Sequence, residues 1–93
     1  MEPESSAEKQ FVKKLVDIIE ANLHNEQFGV NELAEELGMS RITLHRKVKS
    51  VVKKSVSEFI REARLIRASE LLQQKVGTVS EIAYKVGFGS VTY

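Results

Sequence analysis

The chain has 93 residues and a formal net charge of +1, enough for one domain or two very small subdomains around a modest core. It has no cysteine, which excludes a disulfide framework and any cysteine-ligated zinc site and fits a reducing cytoplasm. No apolar run approaches the roughly 20 residues that span a bilayer, and the acidic, polar start from Met1 to Glu8 is not a signal peptide.

Residues 1–6, MEPESS, hold the one proline and no large apolar residue after Met1, and read as a disordered start. From Ala7 to His24, Phe11, Val12, Leu15, Val16, Ile18, Ile19 and Leu23 recur at helical spacing, which predicts an amphipathic helix with one broad buried face. Asn22 falls toward that face and needs a polar partner or the solvent boundary. His24 and Asn25 suit the helix end. Val30 to Leu37 predicts a short helix with Asn31 as N-cap and Leu33, Ala34 and Leu37 inside. Gly38 supplies the left-handed residue that stops it. Ser40 then caps a helix from Arg41 to about Val51. Its Leu44, Val48 and Val51 face inward, which turns Ile42, His45, Arg46 and Lys49 outward; Arg41 starts it near the edge of the inner face.

"SVSE" at 55–58 is a capping box opening the longest helix, to about Gln74, with Phe59, Ile60, Ala63, Ile66, Leu71 and Leu72 as its buried residues. Gly77 ends the connection. "TVSE" at 78–81 is a second capping box, opening a helix to Val86 that Gly87-Phe88-Gly89 breaks, after which Ser90 is placed to cap another. No segment alternates with period 2 for long enough to form a strand. "VNELAEELGMS" from Val30 matches "VSEIAYKVGFGS" from Val79 at an offset of 49, with the serine at 50. The repeat predicts two helix–break–capped-helix units joined by the long helix.

Charge divides with this organisation. Residues 1–40 carry 9 acids and 3 bases, a balance of −6; residues 41–93 carry 4 acids and 11 bases, a balance of +7. Between Arg41 and Lys54 lie six bases, Arg41, Arg46, Lys47, Lys49, Lys53 and Lys54, and no acid. Such a stretch is either a solvated helix face or a surface for an anionic partner. A helix-turn-helix accounts for the sign change at the break. Ala34 allows close crossing, Gly38 reverses the chain, and Met39 fills the space beneath the turn. The helix after Ser40 then lies among phosphates. Its bases supply sequence-independent attraction, and outward side chains near its start reach base edges.

The runs "VNELAEELGMSRITLHRKVK", "FIREARLIRASELL" and "VSEIAYKVGFGSVTY" resemble the DNA-binding region of AraC/XylS-type transcription activators over about residues 28–93. The leading helix with "FGVNELAEELGMSR" is also similar to the output domain of hybrid two-component regulators. The resemblance implies an all-α fold: residues 1–6 as a disordered start, 7–54 as a leading helix and first helix-turn-helix, 55–76 as a linker helix, and 77–93 as an incomplete second helix-turn-helix. The family pattern continues past Tyr93, so the chain is expected to be a fragment that binds DNA weakly, with Ile82, Val86 and Phe88 left exposed. In the first unit the family's base-reading positions fall on Ile42, His45 and Arg46, and in the second on Val91 and Thr92. Phosphate contacts are expected from Ser40, Arg41, Thr43, Lys49, Lys53 and Lys54. Arg64 matches a family arginine and is expected either on phosphate or in an ion pair with an acid such as Glu81. The implied partners are double-stranded DNA and an upstream sensor or receiver domain, with homodimerisation of the parent protein left open. No cofactor, metal or membrane contact by this segment is implied.

An enzyme finds no support in the residues: there is no cysteine nucleophile, no glycine-rich phosphate loop, and no carboxylate set around the two histidines, 21 residues apart. The rival reading is an all-helical protein-interaction module whose basic face is incidental.

Overall fold

Five helices make up the regular structure in a computed structural model that describes residues 6–88: α1 (Ser6–Ala21), α2 (Val30–Leu37), α3 (Arg41–Val52), α4 (Val56–Gln73) and α5 (Val79–Lys85). No strand occurs among the described residues, and the fold is all-α. Helix α1 stops at Ala21, three residues short of the expected end. There the chain turns: Asn22 donates from Nδ2 to the Ile18 carbonyl at 2.8 Å, and Asn25 Oδ1 accepts from the Gln27 N–H at 2.9 Å.

The helix starts follow local side-chain chemistry. Ser40 Oγ accepts from the Thr43 N–H at 3.1 Å. Ser55 and Glu58 complete a capping box at the start of α4, as Thr78 and Glu81 do at α5. Helix α2 differs from expectation. Gly29 takes the N-cap position in an extended conformation, Glu32 Oε1 accepts from its N–H at 2.9 Å, and Asn31 is exposed within the first turn.

The two sequence repeats end in one geometry. Gly38 has φ 66°, and the N–H groups of Gly38 and Met39 donate to the carbonyls of Glu35 and Ala34. Forty-nine residues later Gly87 has φ 86°, and the N–H groups of Gly87 and Phe88 donate to Tyr84 and Ala83. Both are Schellman closures, in which a left-handed residue lets two N–H groups turn back onto otherwise orphaned carbonyls.

Helix α1 packs on α2, α3 and α4; α2 packs on α3, and α3 on α4. The core they enclose holds Phe11, Leu15, Ile19, Leu23, Phe28, Leu33, Ala34, Leu44, Val48, Val56 and Ile60. Met39, partly buried, packs against it. Helix α5 docks on α4 and carries Ile82 and Val86 inward. These two side chains, expected to be exposed, are each 1% accessible, and Phe88 is half-buried. The correction has a plain cause: α4 is long enough to offer α5 a surface beyond the first unit.

Helix α4 corrects two further expectations. Its buried stripe is Val56, Ile60 and Arg64, spaced at i, i+4, i+8. Ile66 lies six residues from Ile60, about 120° off that stripe at about 100° per residue, and is 63% exposed. Leu71 returns toward the stripe and is half-buried, whereas Leu72 beside it is exposed.

Candidate nucleic-acid interface

The turn at Gly38 sets α3 across α2, and Leu44 and Val48 hold its inner face in the core. The opposite face is thereby fixed. Ile42 is 71% exposed, and Arg46 and Lys49 are exposed beside it, with Lys53 continuing the stripe at the helix end. Lys53 adopts φ 62° and donates from Nζ to the Ser50 carbonyl at 2.7 Å. Arg41 and Thr43 are exposed in the first turn. His45 is half-buried on the flank, turned about 100° from Leu44.

Several of the expected phosphate contacts are already engaged within the protein. Ser40 Oγ donates to Thr43 Oγ1 at 2.9 Å while capping α3. Lys54 Nζ meets Glu62 Oε2 at 2.5 Å. By contrast Arg41 and Arg46 have no ion pair among the described residues. Lys47 departs from the basic face: its Nζ sits 4.6 Å from the centroid of the Phe11 ring, a cation–π contact that ties α3 to α1. Val91 and Thr92 lie outside the described residues. The outer face of α3 is therefore apolar at Ile42, cationic at Arg46, Lys49 and Lys53, and free of acids. The carboxylates of α2 gather elsewhere, where Glu32, Glu35 and Glu36 line an open depression with Asn22, Asn25 and Phe28.

Arg64 is neither on the surface nor paired with Glu81. It is 5% accessible, and its guanidinium donates to four backbone carbonyls. Nη1 reaches Leu23 and Val86, each at 2.6 Å, and Nη2 reaches Asn25 and Phe28, each at 3.0 Å. Burial pushes its pKa down from the usual arginine value, but a guanidinium stays charged at neutral pH. Carbonyls carry no residue-specific signal, so nothing in the sequence marks these partners.

A family model for the helix-turn-helix domain matches residues 33–93. The chain belongs to the AraC/XylS-type helix-turn-helix family. Membership carries the coarse function, DNA binding in transcription regulation. Over 89 residues this helix-turn-helix domain is 45% identical to histidine kinase P4 of Formosa agariphila, a match covering 96% of this chain and 6% of that protein. It is 39% identical over 57 residues to the HTH-type transcriptional activator RhaS of Salmonella arizonae, covering 61% of this chain and 20% of that protein. The crystal structure of the C-terminal domain of the two-component response regulator yesN from Fusobacterium nucleatum superposes with a TM-score of 0.77 at 30% identity, covering 88% of this chain and 86% of that one. The chain thus spans only small parts of the two full-length relatives.

Proposed function

We propose that the domain binds double-stranded DNA sequence-specifically, with α3 as the recognition helix in the major groove. The observation that carries this reading is the acid-free outer face of α3, held outward by Leu44 and Val48. Arg46 has the reach and the paired N–H donors for a guanine edge, and Ile42 suits a thymine methyl. His45, on the flank, is placed for a base or the adjoining backbone. Arg41, Lys49, Lys53 and Lys54 take phosphates, Lys54 by exchanging Glu62 for the duplex. Ser40 and Thr43, at the helix N-terminus, bring hydroxyls to the same strand. Val91 and Thr92 are assigned base contacts in the second unit on the family resemblance alone.

We infer further that the domain is the output module of a two-component regulator, lying beyond a sensor or receiver segment on the cytoplasmic side. Support comes from the match to histidine kinase P4 over nearly the whole chain and from the yesN domain structure. Among the described residues no helix is long and apolar enough to cross a membrane.

Salt titration of binding to a duplex recovered by random-site selection tests the DNA reading. Four phosphate contacts predict a log–log slope of roughly −4, and replacing Arg46 and Lys49 by Ala abolishes selective binding without loss of helicity. Binding to a protein partner that is indifferent to salt, with no duplex affinity, would establish the protein-interaction module instead.

A further inference from the structure

Arg64, on α4, joins the α1–α2 loop to the end of α5. Three of its acceptors, Leu23, Asn25 and Phe28, lie in the loop between α1 and α2, which orients the first helix-turn-helix. The fourth, Val86, closes α5, where the sequence repeat begins its second turn. Gly87 follows, and a Cβ built there would overlap both the Leu23 carbonyl and the Arg64 guanidinium. The end of α5 is therefore seated directly on the α1–α2 loop, with Arg64 as the joint.

We propose that Arg64 is a positioning residue for DNA reading: its guanidinium, held by the carbonyls of Leu23, Asn25, Phe28 and Val86, sets the angle between the first helix-turn-helix and α5, the helix that opens the second sequence repeat. The proposal rests on the DNA-binding reading above. A planar guanidinium presents donors in fixed directions and reaches carbonyls from separate segments at once. A lysine ammonium is a single point on a flexible stem and holds no such angle. A buried charge needs this degree of satisfaction, because carbonyl dipoles must replace its lost water. Two reading segments on one duplex must keep the phase of successive major grooves, about 34 Å apart. When the geometry linking two binding units is lost, the gain from engaging both is lost with it.

The chain lacks cysteine, so Glu36→Cys and Lys85→Cys, both at exposed positions, accept spin labels cleanly. Electron–electron distance measurement is expected to give one narrow distribution in the labelled parent. In the Arg64→Met background the distribution broadens while circular dichroism and the methyl resonances of Leu15 and Leu44 persist, and Arg64→Lys does not restore it. In a chain carried on past Tyr93 so that the second unit is complete, Arg64→Met binds a duplex bearing the first unit's target alone within about twofold of the parent, and on the two-unit target it loses about tenfold or more. An unchanged narrow distance in a folded Arg64→Met protein overturns the proposal. Should Arg64→Met fail to fold, Arg64→Gln, which keeps a side-chain donor but loses the fork of the guanidinium, replaces it, and the same distance decides. If the parent binds no duplex, the DNA reading fails by itself while the distance still judges the joint.

Discussion

Arg46 and Lys49 stand one turn apart on the outer face of α3, yet under the proposed reading they meet different parts of a duplex. A paired-donor contact from Arg46 to one guanine is worth about 1–3 kcal/mol of discrimination, so Arg46→Ala is expected to relax preference at that base pair. Lys49 neutralises a phosphate. Lys49→Ala therefore weakens all duplexes alike and lowers the magnitude of the salt slope by about 1. Binding of both variants to a panel of single-base-substituted duplexes at several salt concentrations separates the two effects. Equal loss on every duplex for both variants would remove Arg46 from the base-reading set. Lys47 is expected to behave as neither, because its charge lies over Phe11 at the back of the helix.

At the scale of the helix, the caps govern whether that surface exists. Ser40 satisfies an amide at the start of α3, and Ser40→Ala is expected to cost about 1 kcal/mol in chemical denaturation. The other caps add a pH dependence. Glu58 and Glu81 have pKa values below their ordinary 4.5, chiefly because the backbone N–H of Ser55 and of Thr78 donates to the carboxylate, helped by the Ser55 and Thr78 hydroxyls. A carboxylate with a lowered folded-state pKa contributes stability that is fully present above the unfolded value and is lost as pH falls through the folded one. The acid limb of the stability curve should therefore begin below about pH 4.5 and flatten in the Glu58→Gln, Glu81→Gln double variant. Gln keeps the acceptor oxygen without the charge, so an unflattened limb would assign the acid sensitivity to other groups.

For the whole molecule, α1 is the element against which α2, α3 and α4 all rest. Leu15 is fully buried at that junction, and Leu15→Ala is expected to lower unfolding free energy by about 2–5 kcal/mol, with loss of the α3 surface as the core loosens. Much of this architecture was legible from residues alone, because its signals are local. Gly38 and Gly87 mark left-handed closures, serine or threonine with a glutamate three positions on marks each capping box, and the spacing of Leu44 and Val48 orients α3. What escaped depends on chain segments meeting from afar. Arg64 binds carbonyls 22 to 41 residues away, and no residue type announces a carbonyl. Ile66 and Leu72 resembled core because they are apolar and neighbour other apolar residues on α4, but the step of about 100° per residue decides which of several neighbours faces a partner. Ile82 and Val86 are expected to be exposed where the family pattern runs on past Tyr93, but α4 packs against α5 and both are buried.

The duplicated turn leaves its two copies under unequal constraint. Around Gly38 an added Cβ would meet nothing within 4 Å, so only the strain of a positive φ resists change there, and asparagine, which tolerates that conformation, is expected to be accepted. At Gly87 the same strain is joined by collision with Arg64 and the Leu23 carbonyl. In a saturation library scored for folding, position 38 should admit a small set of residues and position 87 should admit glycine alone, so that the likeness of the two turns holds in shape but not in mutational freedom.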